Sequence, residues 1–138
     1  MDEQVRRALT QGQVIDITTS GRRSGQPRRI EIVFHAIDGR IYITGMPRNT
    51  TRGWLHNLRA DPRLIVHLKG EVKADLTATA REITDEAERR AVLRWVVEHA
   101  WRQQDVETMT RLSPLIEVEI DGMADPDGGV KATIPTAG

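Results

Sequence analysis

Residues 28–44 constrain the fold more than any other stretch of the chain. From Arg28 to Ile37 the residues alternate: Ile30, Ile32, Phe34 and Ala36 share one face, and Arg29, Glu31, Val33 and His35 share the other. A period of two belongs to a β-strand. Asp38-Gly39 follows, a strong two-residue hairpin signal, and Arg40-Ile41-Tyr42-Ile43-Thr44 returns as the partner strand. A chain that turns this tightly is building antiparallel sheet.

Other segments extend that sheet. Val14–Thr19 is a β-branched run, Leu64–Leu68 is an apolar strand turned at Lys69-Gly70, and Val72–Arg81 and Pro114–Ile120 alternate. Helices are predicted over residues 2–11, from an Asn49 or Thr50 cap to about Arg59, from Thr84 to about Trp101, and over Asp105–Leu112. In the third, apolar residues at 92, 95, 96, 99 and 100 approximate one stripe, with Asp85, Glu86 and Glu88 at its positive dipole end. Six strands joined mostly by short turns predict a mainly β, α+β fold: an antiparallel sheet or barrel flanked by helices rather than a parallel doubly wound sheet. The 138 residues fit a single domain, with a core about 12–121 and a Gly-, Pro- and Asp-rich tail over 122–138 expected to fray.

The chemistry concentrates between the first two strands. Thr18-Thr19-Ser20-Gly21-Arg22-Arg23-Ser24-Gly25-Gln26-Pro27-Arg28-Arg29 places four arginines within eight residues, in a turn built by Gly21, Gly25 and Pro27. Guanidinium groups suit forked recognition of phosphate and carboxylate, so an anionic ligand is the functional reading and a solvated surface loop the bland one. The formal net charge of zero conceals an asymmetry: residues 1–60 carry ten Lys/Arg against five Asp/Glu, and residues 61–138 carry ten against fifteen. The basic half is the better home for an anion.

Other classes fit poorly. The Arg loop lacks the spacing of a P-loop or a dinucleotide-binding glycine turn. With no cysteine, there are no disulfides, thiolate metal sites or Cys nucleophile, which fits a reducing cytosol. His35, His56, His67 and His99 show no metal-ligand spacing, and no serine sits in a G-x-S-x-G elbow. Aromatic residues are 4% and no basic stripe continues along the chain, which argues against nucleic acid. The N-terminus has no signal-peptide pattern, and no apolar run approaches the ~20 residues of a membrane helix. A cytoplasmic protein is expected. Trp54 and Leu58 lie on one face of the second helix, either as a core anchor or as a wall for a planar ligand, with Asn57 nearby to hydrogen-bond.

The T-T-S-G-R-R-S-G-Q-P-R stretch beginning at Thr18, followed by a hairpin and then Gly53-Trp-Leu-His-Asn-Leu-Arg-Ala-Asp-Pro-Arg63, resembles the deazaflavin (F420)-dependent nitroreductase family of the FMN-binding split-barrel superfamily. The resemblance covers roughly residues 12–121 and implies a split β-barrel. It implies an F420-dependent reductase that passes hydride from the reduced deazaflavin to a quinone, enone or nitro compound. It implies that the loop with Arg22, Arg23, Ser24, Arg28 and Arg29 holds the phosphate and glutamate tail. It also implies that the backbone of Thr44, Gly45 and Met46 lies by the ring, that Trp54 and Asn57 pack beside the cofactor, and that the protein is a homodimer. The chain departs from the family at Ile30-Glu31-Ile32 and Met46-Pro47-Arg48. Its only tyrosine is Tyr42, so Trp95 and Trp101 are candidates for the acceptor wall. Glu31 and His35 are candidate proton relays, with solvent as the alternative. The rival readings are an FMN-binding split barrel and a non-catalytic carrier of a flavin- or haem-like ligand.

Overall fold

The computed structural model describes residues 1–123. Six strands, β1 (Gln13–Ser20), β2 (Pro27–Ile37), β3 (Arg40–Thr44), β4 (Arg63–Lys69), β5 (Lys73–Glu82) and β6 (Leu115–Ile120), close into an antiparallel barrel in the order β1-β2-β3-β6-β5-β4. Closure gives every strand a partner on both sides over at least part of its length. The alternation predicted for β2 is the one that builds the wall: Phe34 is buried inside with Ile15, Ile17, Ile41, Ile43, Val66, Leu68, Ile116 and Val118. The β2–β3 turn takes the predicted form, with φ of 50° at Asp38 and 79° at Gly39 and Ile37 paired to Arg40. Positive φ at both central residues matches the twist of a two-residue hairpin.

β2 serves two neighbours in succession. Its residues from Pro27 to Phe34 pair with β1, and those from Phe34 to Ile37 pair with β3. β3 ends at Thr44, so the first half of β2 runs on beyond it, beside the Arg loop.

Four helices accompany the barrel: α1 (Glu3–Ala8), α2 (Gly53–Ala60), α3 (Glu86–His99) and α4 (Val106–Leu112). α2 inserts Trp54, Leu55 and Leu58 into the barrel core. It starts later than the expected Asn49 or Thr50 cap: Arg52 is the N-cap residue and makes no side-chain cap bond. Asn49 and Thr50 instead lie in a bend ahead of the helix, and the Arg48 N–H just before them donates to the Leu112 carbonyl at 3.4 Å. Likewise Asp85 rather than Thr84 caps α3, its carboxylate accepting the Glu88 N–H at 2.9 Å. The buried stripe of α3 is Ala91, Val92, Leu93 and Val96, whereas His99 and Ala100 are exposed because the helix ends there. Asp121, the last residue of the expected core, is held by both Arg63 Nη atoms and by Thr77 Oγ1; most of the tail expected to fray, residues 124–138, lies outside the described residues. Among the described residues no helix is long and apolar enough to cross a membrane.

α3 and α4 cover the outside of β3 and β6, where a second apolar cluster gathers Tyr42, Ile83, Val92, Leu93, Met109 and Leu115. A buried ion network crosses this layer. Arg40 Nη1 donates to Glu117 at 3.0 Å, and Arg81 Nη2 donates to Glu117 at 3.0 Å and to Glu88 at 2.6 Å. Burial, and then the Glu117 carboxylate, push the Tyr42 phenol far above its ordinary value. As the sole tyrosine, Tyr42 can be followed by ultraviolet absorbance. No phenolate should appear as pH rises past about 10, the ordinary value. Because the folded pKa is raised, this group's contribution to stability is complete below that pH and declines above it, so phenolate is expected only as the fold opens.

Candidate functional site

The Arg loop is a built turn. Gly21 N–H donates to the Gln26 carbonyl and Gly25 N–H to the Gly21 carbonyl, both at 2.8 Å, and Ser24 Oγ accepts the Gln26 N–H at 3.1 Å. Gly25 sits at φ +70°, a conformation that favours glycine, and a Cβ on Gly21 would come within 2.8 Å of Ser24 Oγ, so a side chain there would push the Ser24 hydroxyl aside. Asn57 on α2 latches the loop to the barrel. Its Oδ1 accepts the Arg22 N–H at 3.0 Å, and its Nδ2 donates to Thr19 Oγ1 at 3.0 Å. Arg22, Arg23 and Arg28 are exposed, and among the described residues none of their side chains has a carboxylate partner. Arg29 differs: its Nε donates to Asp16 at 2.9 Å on the outer barrel wall. Thus the loop offers three unneutralised guanidinium groups rather than four.

Asn57→Ala should therefore loosen the loop without emptying the core. The expected results are a loss of about 1–3 kcal/mol, from two broken hydrogen bonds and an unpaired Thr19 hydroxyl, and faster amide exchange at Arg22. Exchange unchanged at Arg22 would contradict the latch.

After β3 the chain passes close to its own arginine. A Cβ at Gly45 would fall 2.8 Å from Arg52 Cζ, and Arg52 Nη2 donates to the Met46 carbonyl at 2.5 Å. Thr44 Oγ1 is spent on the Pro114 carbonyl at 2.5 Å, which leaves backbone as the exposed chemistry of this segment; Met46 remains 46% exposed. Trp54 is nearly enclosed in the barrel core, at 9% exposed.

The outward face of β2 splits into two environments. Arg29 and Glu31 belong to a surface network in which Lys69 bridges Asp16 and Glu31. Those two cationic neighbours hold the Asp16 carboxyl below its ordinary value. His35, in contrast, is buried beneath the turn after α3, its ring edge-on to Trp101 with centroids 5.2 Å apart. Its Nε2 has no hydrogen-bond partner, and burial lowers its pKa, so the imidazole is neutral at neutral pH. His35 lines a cavity of about 280 Å³ together with Val33, Trp95 and Trp101. The two relay candidates are therefore separated: Glu31 is exposed and tied to Lys69, whereas His35 is buried and lines a cavity.

Sequence reasoning missed two arrangements. One is the packing of Arg52 on Gly45. The other is a row on the outer wall in which His67 lies 2.7 Å from both Thr18 Oγ1 and Asp75 Oδ1, joining β1, β4 and β5. Outward alternation at Thr18, His67 and Asp75 was legible, but their adjacency depends on strand register.

Comparison with known proteins bears on this arrangement. A solved F420-H2-dependent reductase, FDR-A, is 26% identical, with 77% of this chain and 93% of that chain covered and a TM-score of 0.58. A structure described as a domain-swapped dimer is also 26% identical, with 85% and 95% covered and a TM-score of 0.59. The haem storage protein HutZ of Vibrio cholerae, at 13% identity with 88% of both chains covered and a TM-score of 0.62, shares the fold. The family model of the F420H(2)-dependent quinone reductases matches residues 1–121. By that match, over nearly the whole described chain, the protein belongs to the F420H(2)-dependent quinone reductase family, within the deazaflavin- and FMN-binding split-barrel oxidoreductases.

Proposed function

We propose that this chain binds coenzyme F420 and reduces a small activated acceptor such as a quinone, enone or nitro compound. The observation that carries the reading is the latched loop with Arg22, Arg23 and Arg28, which presents cationic forks without an internal carboxylate. Its donor set fits a ligand with a phosphodiester and a string of carboxylates. FMN, with one terminal phosphate, would leave part of it unused. When bound, the deazaflavin supplies the hydride chemistry.

The chain's residues have distinct tasks in this reading. Arg22, Arg23 and Arg28 bind the acidic end, and Ser24 and Asn57 hold the loop in shape. The backbone of Thr44, Gly45 and Met46 is the surface for the ring, with Arg52 fixing its course and Trp54 supporting α2 from the core. Val33, Trp95 and Trp101 form an apolar cavity for the acceptor. Neutral His35 offers its Nε2 to the acceptor's oxygen, as a hydrogen-bond donor in the tautomer that carries the proton there. The reading also includes a cytoplasmic homodimer.

Anaerobic turnover tests the proposal: purified protein, reduced F420 and a naphthoquinone, followed by the return of oxidised-F420 absorbance. His35→Leu should lower kcat while leaving cofactor affinity unchanged. Quinone-dependent oxidation no faster than without protein would refute the reductase reading and leave a carrier.

A further inference from the structure

A second concentration of arginine lies on the other side of α2. On that helix Asn57 faces the Arg loop, whereas Leu55 and Arg59, four residues apart, line a separate cavity of about 350 Å³. Two residues along a helix is a rotation of about 200°, so the two sites occupy opposite faces. The remaining walls are the segment after β3, the end of β5 and its connection to α3, α3 itself at Arg89, and the end of α4 through Ser113 and Pro114.

Five arginines line this cavity, Arg48, Arg52, Arg59, Arg89 and Arg111, against one carboxylate, Glu82. Arg59 and Glu82 neutralise each other through paired bonds of 2.8 and 2.7 Å. Arg89 spends its donors on the carbonyls of Ile83, Thr110 and Ser113, which satisfy its N–H groups but not its charge. Burial, and the charge of Arg48, lower the Arg52 pKa. Arg48 Nε reaches only the Thr50 carbonyl, at 3.4 Å, and Arg111 makes no side-chain hydrogen bond or ion pair among the described residues. Five positive charges less one negative leaves four, in a chain of zero formal net charge. Ser113, 4% exposed, lines the same cavity, and its buried Oγ has no hydrogen-bond partner.

We propose that this cavity is a second anion site, distinct from the Arg22–Arg28 loop, for a small oxyanion carrying two or more charges, a phosphate or a paired carboxylate. The forked donors of Arg48 and Arg111 match such oxygens. A volume of about 350 Å³ accommodates an anion of this size. The anion is either the acidic end of a larger ligand or a free solute, and the site's chemistry is the same for both. This inference does not rest on the F420 reading.

The test is calorimetric titration of the full chain with inorganic phosphate and with glutarate. Saturable binding of at least one is expected, weakened roughly tenfold in each of Arg48→Gln and Arg111→Gln, by the loss of one charge-assisted contact. Neither side chain supports the fold, so unchanged thermal melting is the control. Ser113→Ala should weaken binding several-fold. Arg22→Gln/Arg28→Gln should leave in place the binding component that Arg48→Gln and Arg111→Gln weaken. No saturable binding of either anion, or binding lost only in Arg22→Gln/Arg28→Gln, would overturn the proposal. The source follows from a second arm. Displacement of phosphate by F420, with weaker F420 binding in Arg111→Gln, makes the occupant the cofactor's acidic end. Simultaneous binding makes it a separate solute. Both results keep the site.

Discussion

Replacing Arg22 and Arg28 together by alanine should weaken F420 binding by roughly 10²–10⁴-fold while leaving thermal stability unchanged. Each charge-assisted hydrogen bond contributes about 1.5–3 kcal/mol, and 1.4 kcal/mol is a factor of ten. The fold is indifferent to these side chains: both are exposed, and the bonds that shape the loop run through the backbone, Ser24 Oγ and Asn57. Arg29→Ala is the internal control. Arg29 pairs with Asp16 on the barrel wall, so its loss should change affinity little. The wild-type affinity should also fall with added salt, because the contacts are solvent-exposed. A fluorescence titration beside a thermal melt checks both halves of the expectation. Equal weakening by Arg29→Ala and by the double variant would mean a diffuse field rather than a site.

The second large effect concerns stability. Glu117 is 3% exposed and accepts from Arg40 and Arg81, joining β6 to β3 and β5 beneath α3. Glu117→Ala should lower the unfolding free energy by about 3–5 kcal/mol, because it removes one member of a buried ion pair and with it a carboxylate contact of both Arg40 and Arg81. That is a large share of the roughly 5–15 kcal/mol by which a domain is stable. Arg40→Met/Glu117→Leu should recover much of the loss, since an apolar pair removes both charges at once; Arg81 keeps Glu88. Urea denaturation measures this. A loss below 1 kcal/mol for Glu117→Ala would show that the network is solvated.

Local signals were the legible ones. Alternation over residues 28–37 and the Asp38-Gly39 turn specify a hairpin without reference to anything distant, and that hairpin forms as read. Barrel closure was legible only as a class. The pairing of β3 with β6 and of β1 with β4 joins segments far apart in the chain, and alternation says which face is apolar but not which strand is adjacent. The Arg loop was legible as chemistry. Its latch was not, because nothing in the sequence says that Asn57 reaches the Arg22 amide. Asn49 and Thr50 are good caps locally, yet they lie in a bend ahead of α2, next to the bond that ties Arg48 to the distant Leu112. On β2, Glu31 and His35 look equivalent in sequence. Lys69 and Trp101, from distant parts of the chain, give one a salt bridge and the other a buried pocket.

The measurement that bears most directly on the cofactor is a parallel fluorescence titration of the full chain with F420 and with FMN. The account predicts saturable, tighter binding of F420, weakened when its glutamate tail is removed. Tighter binding of FMN, or binding of neither, would contradict it.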